Sequence, residues 1–240
     1  MGTKGELQQR PKALLFDFDG VLVCPKIIVE TVLAVARRWN LRLQKYEIMA
    51  DYSRGRIACL WDYLLELLRV GEIKTSREAV IELEREIYFG GANGQGLCTQ
   101  ERLLLSVGDL ERLSTLVERR VAVVTNRPRD RFQSAFEHTG LSASGLFTVT
   151  VTCDDVGKDG KKPSSKGVEL ACANLEVLPA DVWMVDDMPC GIEAAHQAGA
   201  IAIGFAPQHN FSLRRTLRDA GADMVISSHA ELFERIGELN

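Results

Sequence analysis

No Cys-x-x-Cys pair occurs in the 240 residues: Cys24, Cys59, Cys98, Cys153, Cys172 and Cys190 stand far apart. That spacing argues against a cysteine-based zinc site or a small disulfide framework and suits buried or half-buried thiols in a reducing cytosol. A basic run is missing too. With 29 basic and 33 acidic residues and a net charge of -4, the chain has no electrostatic footprint for nucleic acid, so that partner is not expected. Nor is there a stretch of about 18 apolar residues. The opening through Pro11 is polar and has no apolar centre for a secretory signal, and Glu6 stands where a myristoylation motif wants Ser or Thr. The expectation is a cytoplasmic protein with no membrane partner. Internal repeats, low-complexity segments, a G-x-x-x-x-G-K-S/T loop and a dinucleotide fingerprint are absent as well.

What remains is a globular chain, 46% hydrophobic, long enough for one large domain or a domain with an insert. Short runs rich in Val, Ile and Phe recur at Ala13–Phe16, Val121–Val124, Phe147–Val151, Val182–Val185, Ile201–Phe205 and Met224–Ile226 and read as strands. Helical spacing lies between most of them, at Leu110–Arg120, Asp130–Thr139, Lys166–Asn174, Ile192–Ala198 and Leu213–Ala220, often followed by a glycine such as Gly140, Gly199 or Gly221. Alternation of this kind, with strands too apolar to have a wet face, predicts an α/β fold: a Rossmann-like parallel sheet with helices on both faces. One interval breaks the rhythm. Between Pro25 and about Gly90 only helical patterns occur, at Ile27–Trp39, Ile57–Val70 and Arg77–Tyr88. The expected organisation is therefore an α/β core over residues 11–24 and 97–240, with an all-helical insert over residues 25–96. Gly90, Gly91, Gly94 and Gly96 close that insert in a stretch that suits a hinge better than a phosphate cradle.

Four polar clusters follow apolar strands or precede a helix. Leu14–Phe16 runs into Asp17-Phe18-Asp19-Gly20, and carboxylates at the carboxyl end of a parallel strand face the ligand crevice of such sheets. There Asp17 could attack phosphorus while Asp19 protonates the leaving oxygen, although aspartates at a strand end also serve simply to cap turns. Val121–Val124 delivers Thr125, Asn126 and Arg127, donors that could hold phosphate oxygens or, more plainly, an N-cap. Lys162, set before Pro163, offers an ammonium to crowded anions, though a Lys-Lys pair is usually a solvated surface feature. Val182–Val185 ends in Asp186-Asp187, adjacent like charges that need a compensating cation and suit magnesium, which prefers hard oxygen ligands. The phosphate set read here is Thr125, Asn126, Lys162, Gly20 and Arg127, with Asp17, Asp19 and Lys162 catalytic.

At these residues the chain from Lys12 onward resembles the haloacid dehalogenase superfamily: Asp17-Phe-Asp19-Gly20, Thr125, Lys162-Pro163 and Asp186-Asp187 are similar to its four motifs, in order. The resemblance implies Asp17 as the phosphorylated nucleophile, Asp19 as acid/base, Thr125 and Lys162 on the phosphate, and Mg2+ near Asp17, Asp19, Asp186 and Asp187. It also implies that the helical insert is a type 1 cap. The chain departs from many relatives by placing Gly191 where they carry a further Asp, so either Asp186 substitutes for it or the metal shell is one ligand poorer. The expected activity is a magnesium-dependent phosphatase acting on a small phosphorylated metabolite through an aspartyl-phosphate. Alternatives are a phosphomutase of the same fold, a non-catalytic phospho-ligand-binding protein and a receiver domain. The last fits poorly, because a receiver's acidic pair comes first in sequence and it has no use for a helical insert. Arg54 and Arg56 in the insert are candidate anion contacts or plain surface charges, the histidines read as structural or surface, and Trp39, Trp61 and Trp183 read as core rather than ligand platforms.

Overall fold

The computed structural model describes residues 9–91 and 94–239. Six short strands, β1 (Ala13–Phe16), β2 (Val121–Val124), β3 (Val149–Val151), β4 (Val182–Asp186), β5 (Ile201–Phe205) and β6 (Met224–Ile226), pair in parallel in the order β3-β2-β1-β4-β5-β6. Alternation along β1 sorts its side chains between two layers. Leu14 and Phe16 join Val121, Val123, Trp183 and Val185 on one face, while Ala13 and Leu15 join Ala122, Val124, Val182 and Met184 on the other. The first face is covered by α5 (Val107–Thr115), α6 (Arg129–His138) and α12 (His229–Gly237). The second is covered by α9 (Lys166–Asn174), α10 (Pro189–Ala198) and α11 (Phe211–Asp219). Every residue of β1, β2 and β4 is buried, which is why these strands read as unbroken apolar runs.

Chain order reverses between β1 and β4, and open α/β sheets bind ligands at such a switch point. Register fixes what lies there. Phe16 is level with Val123 on one side and Val185 on the other, so Asp17 and Asp186 leave the sheet together with Thr125 one residue beyond them.

Between β1 and β2 the chain forms α1 (Lys26–Arg38), α2 (Lys45–Ser53), α3 (Leu60–Val70) and α4 (Arg77–Phe89), which pack around their own apolar cluster including Val32, Ile48, Leu64, Leu68 and Val80. Two short helices, α7 (Leu141–Ser144) and α8 (Cys153–Val156), link elements of the core. Residues 92 and 93 of the glycine-rich stretch lie outside the described residues. Among the described residues no helix is long and apolar enough to cross a membrane.

The elements differ from expectation in several places. The helix predicted over Leu110–Arg120 ends at Thr115, because Glu118 and Arg119 take φ of 51° and 63° and turn the chain out of the helix. The strand predicted from Phe147 begins at Val149, while Phe147 packs edge-on against Phe16. The helix predicted from Ile57 begins at Leu60, since Cys59 is extended and acts as its cap residue. Both α2 and α12 were absent from the pattern-based reading, although each begins with a capping signal, Gln44 with Glu47 and Ser228 with Glu231.

Candidate active site

Asp17 is anchored by its own backbone, whose N–H donates to the Val185 carbonyl at 2.9 Å. Its side chain meets Lys162, whose Nζ donates to Asp17 Oδ1 and Asp186 Oδ2, each at 2.6 Å. All three residues are buried. Burial pulls the Lys162 ammonium toward neutrality, but Asp17 and Asp186 outweigh it and hold it above the ordinary lysine range. Burial pushes Asp17 up to about 7, with Lys162 opposing and Asp186 and Asp19 adding to the rise.

Asp187 lies beside them. Tyr52, from the insert, donates its hydroxyl to Asp187 Oδ2 at 2.5 Å, while Asp187 Oδ1 is buried with no partner. Burial, then the charges of Asp186 and Asp17, lift the Asp187 carboxyl well above the usual range. Gly20 adopts φ of +78° against this pair, and a β-carbon there would run into the Asp187 carboxylate and the Tyr52 hydroxyl. Gly191 has the same kind of role for Asp186. A β-carbon at 191 would fall on the Asp186 carboxylate, which instead accepts from the Met188 N–H at 2.8 Å. The carboxylate of Asp186 thus fills the space that a side chain at 191 would enter.

Asp17, Asp186 and Asp187 each offer an oxygen, and these atoms lie within 4.8 Å of one another. Hard oxygen donors crowded in a buried site, one of them orphaned, fit a divalent cation such as magnesium. Asp19 is outside that trio. Its carboxylate is held by Arg127 in a two-point fork, Nε to Oδ2 at 2.9 Å and Nη2 to Oδ1 at 2.5 Å. Arg127 Nη1 in turn donates to Glu101 at 2.9 Å and to the Tyr88 hydroxyl at 3.1 Å. The Arg127 side chain is only 3% exposed, so the fork is fixed from behind by Tyr88 and Glu101.

The residues expected on phosphate divide accordingly. Thr125 is buried at the end of β2, where its Oγ1 accepts from the Arg127 N–H at 3.1 Å; it lines the same cleft as Lys162. Asn126 also lines the cleft but clasps the Lys162 backbone: its Nδ2 donates to the Lys162 carbonyl at 3.1 Å and its Oδ1 accepts from the Lys162 N–H at 2.8 Å. Arg127 lines it with every guanidinium nitrogen engaged, and Gly20 spends its N–H on the Val23 carbonyl at 2.8 Å. Arg54 and Arg56 are not among the cleft residues; each is paired with Asp51 on the surface. Tyr52, Glu101 and Tyr88 were not anticipated from sequence. A lone tyrosine or glutamate in a helical pattern carries no local mark of a distant partner, and only the capping signal of α2 could have drawn attention to the helix that holds Tyr52.

The family model for haloacid dehalogenase-like hydrolases matches residues 11–199. The chain is a haloacid dehalogenase-like hydrolase. Among the relatives of this hydrolase, validoxylamine A 7'-phosphate phosphatase of Streptomyces hygroscopicus subsp. limoneus is 39% identical over 211 residues, covering 83% of this chain and 87% of that protein. Phosphoglycolate phosphatase of Haemophilus influenzae is 26% identical over 227 residues, covering 92% and 96%. The crystal structure of a conserved haloacid dehalogenase-like protein from Agrobacterium tumefaciens shares the fold, with a TM-score of 0.70 at 24% identity over 94% of this chain and 97% of that one.

Proposed function

We propose that this hydrolase is a magnesium-dependent phosphatase that cleaves the monoester of a small phosphorylated metabolite through an aspartyl-phosphate on Asp17. The observation that carries the reading is the buried cluster in which Lys162 bridges Asp17 and Asp186 while Asp187 keeps an orphaned oxygen beside them. The phosphatase activity named for relatives across most of the chain supports it.

In the first half-reaction a carboxylate oxygen of Asp17 attacks phosphorus, the bond to the substrate's alcohol oxygen breaks, and Asp19 gives that oxygen a proton. In the second, water attacks the phosphorus of the aspartyl-phosphate, Asp19 takes the water's proton, and the Asp17 carboxylate is released with inorganic phosphate. Lys162 and the Thr125 hydroxyl would hold phosphoryl oxygens, and the Arg127 fork sets where Asp19 rests between proton transfers. Asp17, Asp186 and Asp187 would hold Mg2+, which when bound screens the carboxylates from the incoming dianion. The helical insert over residues 25–96 would act as a cap whose closure excludes water, hinged at the glycine-rich stretch. All six cysteines are free thiols, which suits a cytoplasmic setting. The test is a phosphate-release screen over sugar, nucleotide and organic-acid phosphates with Mg2+, using Asp17→Asn as control. Release by the wild type and none by the variant is expected. No release from any substrate, or full activity in the variant, contradicts the reading.

A further inference from the structure

The chain that leaves β4 carries two of the three crowded carboxylates, and the helical insert grips it at three consecutive residues. Asp187 accepts from the Tyr52 hydroxyl at 2.5 Å. Met188 is buried in the insert's own apolar cluster, the one that holds Ile48, Tyr52 and Leu64, and not in either layer that covers the sheet. Pro189 packs against Gly55 with no room for a β-carbon between them. A further tie runs alongside, from Asn210 Nδ2 to Ser53 Oγ at 3.1 Å.

The gripping residues Tyr52, Ser53 and Gly55 all come from the end of α2 and the turn after it. Of the nine residues of this helix only Ile48 and Tyr52 are buried, four apart and so on one face. A buried tyrosine must find a partner for its hydroxyl, and Tyr52 finds it outside the insert. The consequence falls on Asp187. Among the described residues the Tyr52 hydroxyl is the one hydrogen-bond donor to that carboxylate, and it engages Oδ2 while Oδ1 stays without a partner. Donation to one oxygen fixes the rotation of the carboxylate and leaves the other free for a cation, which is how outer partners orient metal ligands. Asp186 is supported less directly by the same contact, since it accepts from the N–H of Met188, the residue seated in the insert.

We infer that Tyr52 is a positioning residue for the metal site: its hydroxyl, supplied by the insert, orients Asp187 to take a divalent cation, so that Mg2+ binding and the docking of α2 on the core strengthen each other. The inference rests on the magnesium part of the proposed function and adds to it the source of the ligand's support. Linkage makes the effect reciprocal, because the factor by which docked α2 tightens Mg2+ is the factor by which Mg2+ tightens docking. The experiment uses Mg2+ alone, without substrate, and measures its Kd by titration calorimetry in wild type, Tyr52→Phe and Tyr46→Phe. Tyr46 lies on the same helix but is 70% exposed, so its variant is the control. Tyr52→Phe should weaken Mg2+ about 10- to 100-fold, with Tyr46→Phe unchanged. Hydrogen exchange over residues 45–56 supplies the reciprocal reading: Mg2+ should slow it in the wild type and slow it less in Tyr52→Phe. A Kd for Tyr52→Phe within about twofold of wild type, or tighter, overturns the inference. So does exchange in the wild type that Mg2+ leaves unchanged, a result that holds even if the variant fails to fold. Absence of Mg2+ binding by the wild type would instead strike at the magnesium reading itself, and the inference would fall with it.

Discussion

Two buried ionic clusters adjoin each other at the sheet edge and are balanced differently. In the first, three carboxylates, Asp17, Asp186 and Asp187, face the single ammonium of Lys162. In the second, Asp19, Glu101 and Glu84 face two guanidinium groups, Arg127 and Arg131, with Tyr88 packed between them. In the first, burial and then the neighbouring carboxylates, with only one ammonium to oppose them, lift Asp17 and Asp187 out of the usual carboxylate range. The second is nearly neutral and tied together by forks and short hydrogen bonds. A cluster starved of cations is suited to receive one, and a cluster already paired is suited to hold a neighbour still. On this view the first cluster carries the attack on phosphorus, and the second holds the acid/base Asp19 in place and, through Glu84, Trp61.

The difference is sharpest if one oxygen of the first cluster is replaced. Asp17→Asn should lower kcat on the order of 10^4-fold, because it removes the attacking atom, while a well-folded protein remains by circular dichroism. Weakening the second cluster should cost less. Arg127→Lys keeps the charge but not the fork, so kcat should fall about 10- to 100-fold with a smaller change in KM. If Arg127→Lys instead equals Asp17→Asn in its effect, the division between the two clusters is wrong. A smaller loss is expected from Gly191→Ala, whose methyl must displace the Asp186 carboxylate; the measurement is the Mg2+ concentration giving half-maximal activity, which should rise.

The smallest effect is on stability. Asp17 holds its proton more tightly in the fold than in the unfolded chain, so its contribution to metal-free stability is fully present below the ordinary aspartate range and is lost as pH rises through about 7. Magnesium competes with that proton. The rise in Tm on adding Mg2+ should therefore be small at pH 5 and larger at pH 7.5, and an equal rise at both pH values would count against the first cluster as the metal site. His229 titrates in part of the same window, with burial lowering it to about 4, but it lies outside the carboxylate trio and its contribution cancels in the difference between metal-free and metal-loaded samples.

Much of the first cluster was legible in the chain, for a physical reason. Strands buried on both faces must be continuous apolar runs, so a polar residue directly after one is conspicuous, and parallel pairing carries all such residues to one edge. Asp17, Thr125, Asp186 and Asp187 follow from that rule alone. Lys162 does not follow a strand directly, and its neighbour Lys161 is the same residue type; only the fold separates them, sending one ammonium to Asp17 and Asp186 and the other over the Trp61 ring. The second cluster was opaque. Glu84, Tyr88 and Glu101 come from the insert and its connection, and their partners lie far along the chain in a helix that spacing cannot dock. Arg127 shows the same limit from the other side: adjacency to Thr125 suggested a phosphate contact, while the structure turns its fork onto Asp19. The role of Gly191 was also hidden, since a missing side chain reveals what it makes room for only when Asp186 is seen beside it.

The central claim, that the cation-starved cluster is where phosphoryl transfer occurs, is tested most directly by mixing enzyme, Mg2+ and a turned-over phosphomonoester for milliseconds, quenching in acid and mapping phosphate by peptide mass spectrometry. A single phosphoryl group on the peptide containing Asp17, absent from the Asp17→Asn protein, is the expected result. Rapid turnover with Asp17 unmodified at every quench time, or phosphate found on a different side chain, would contradict the account.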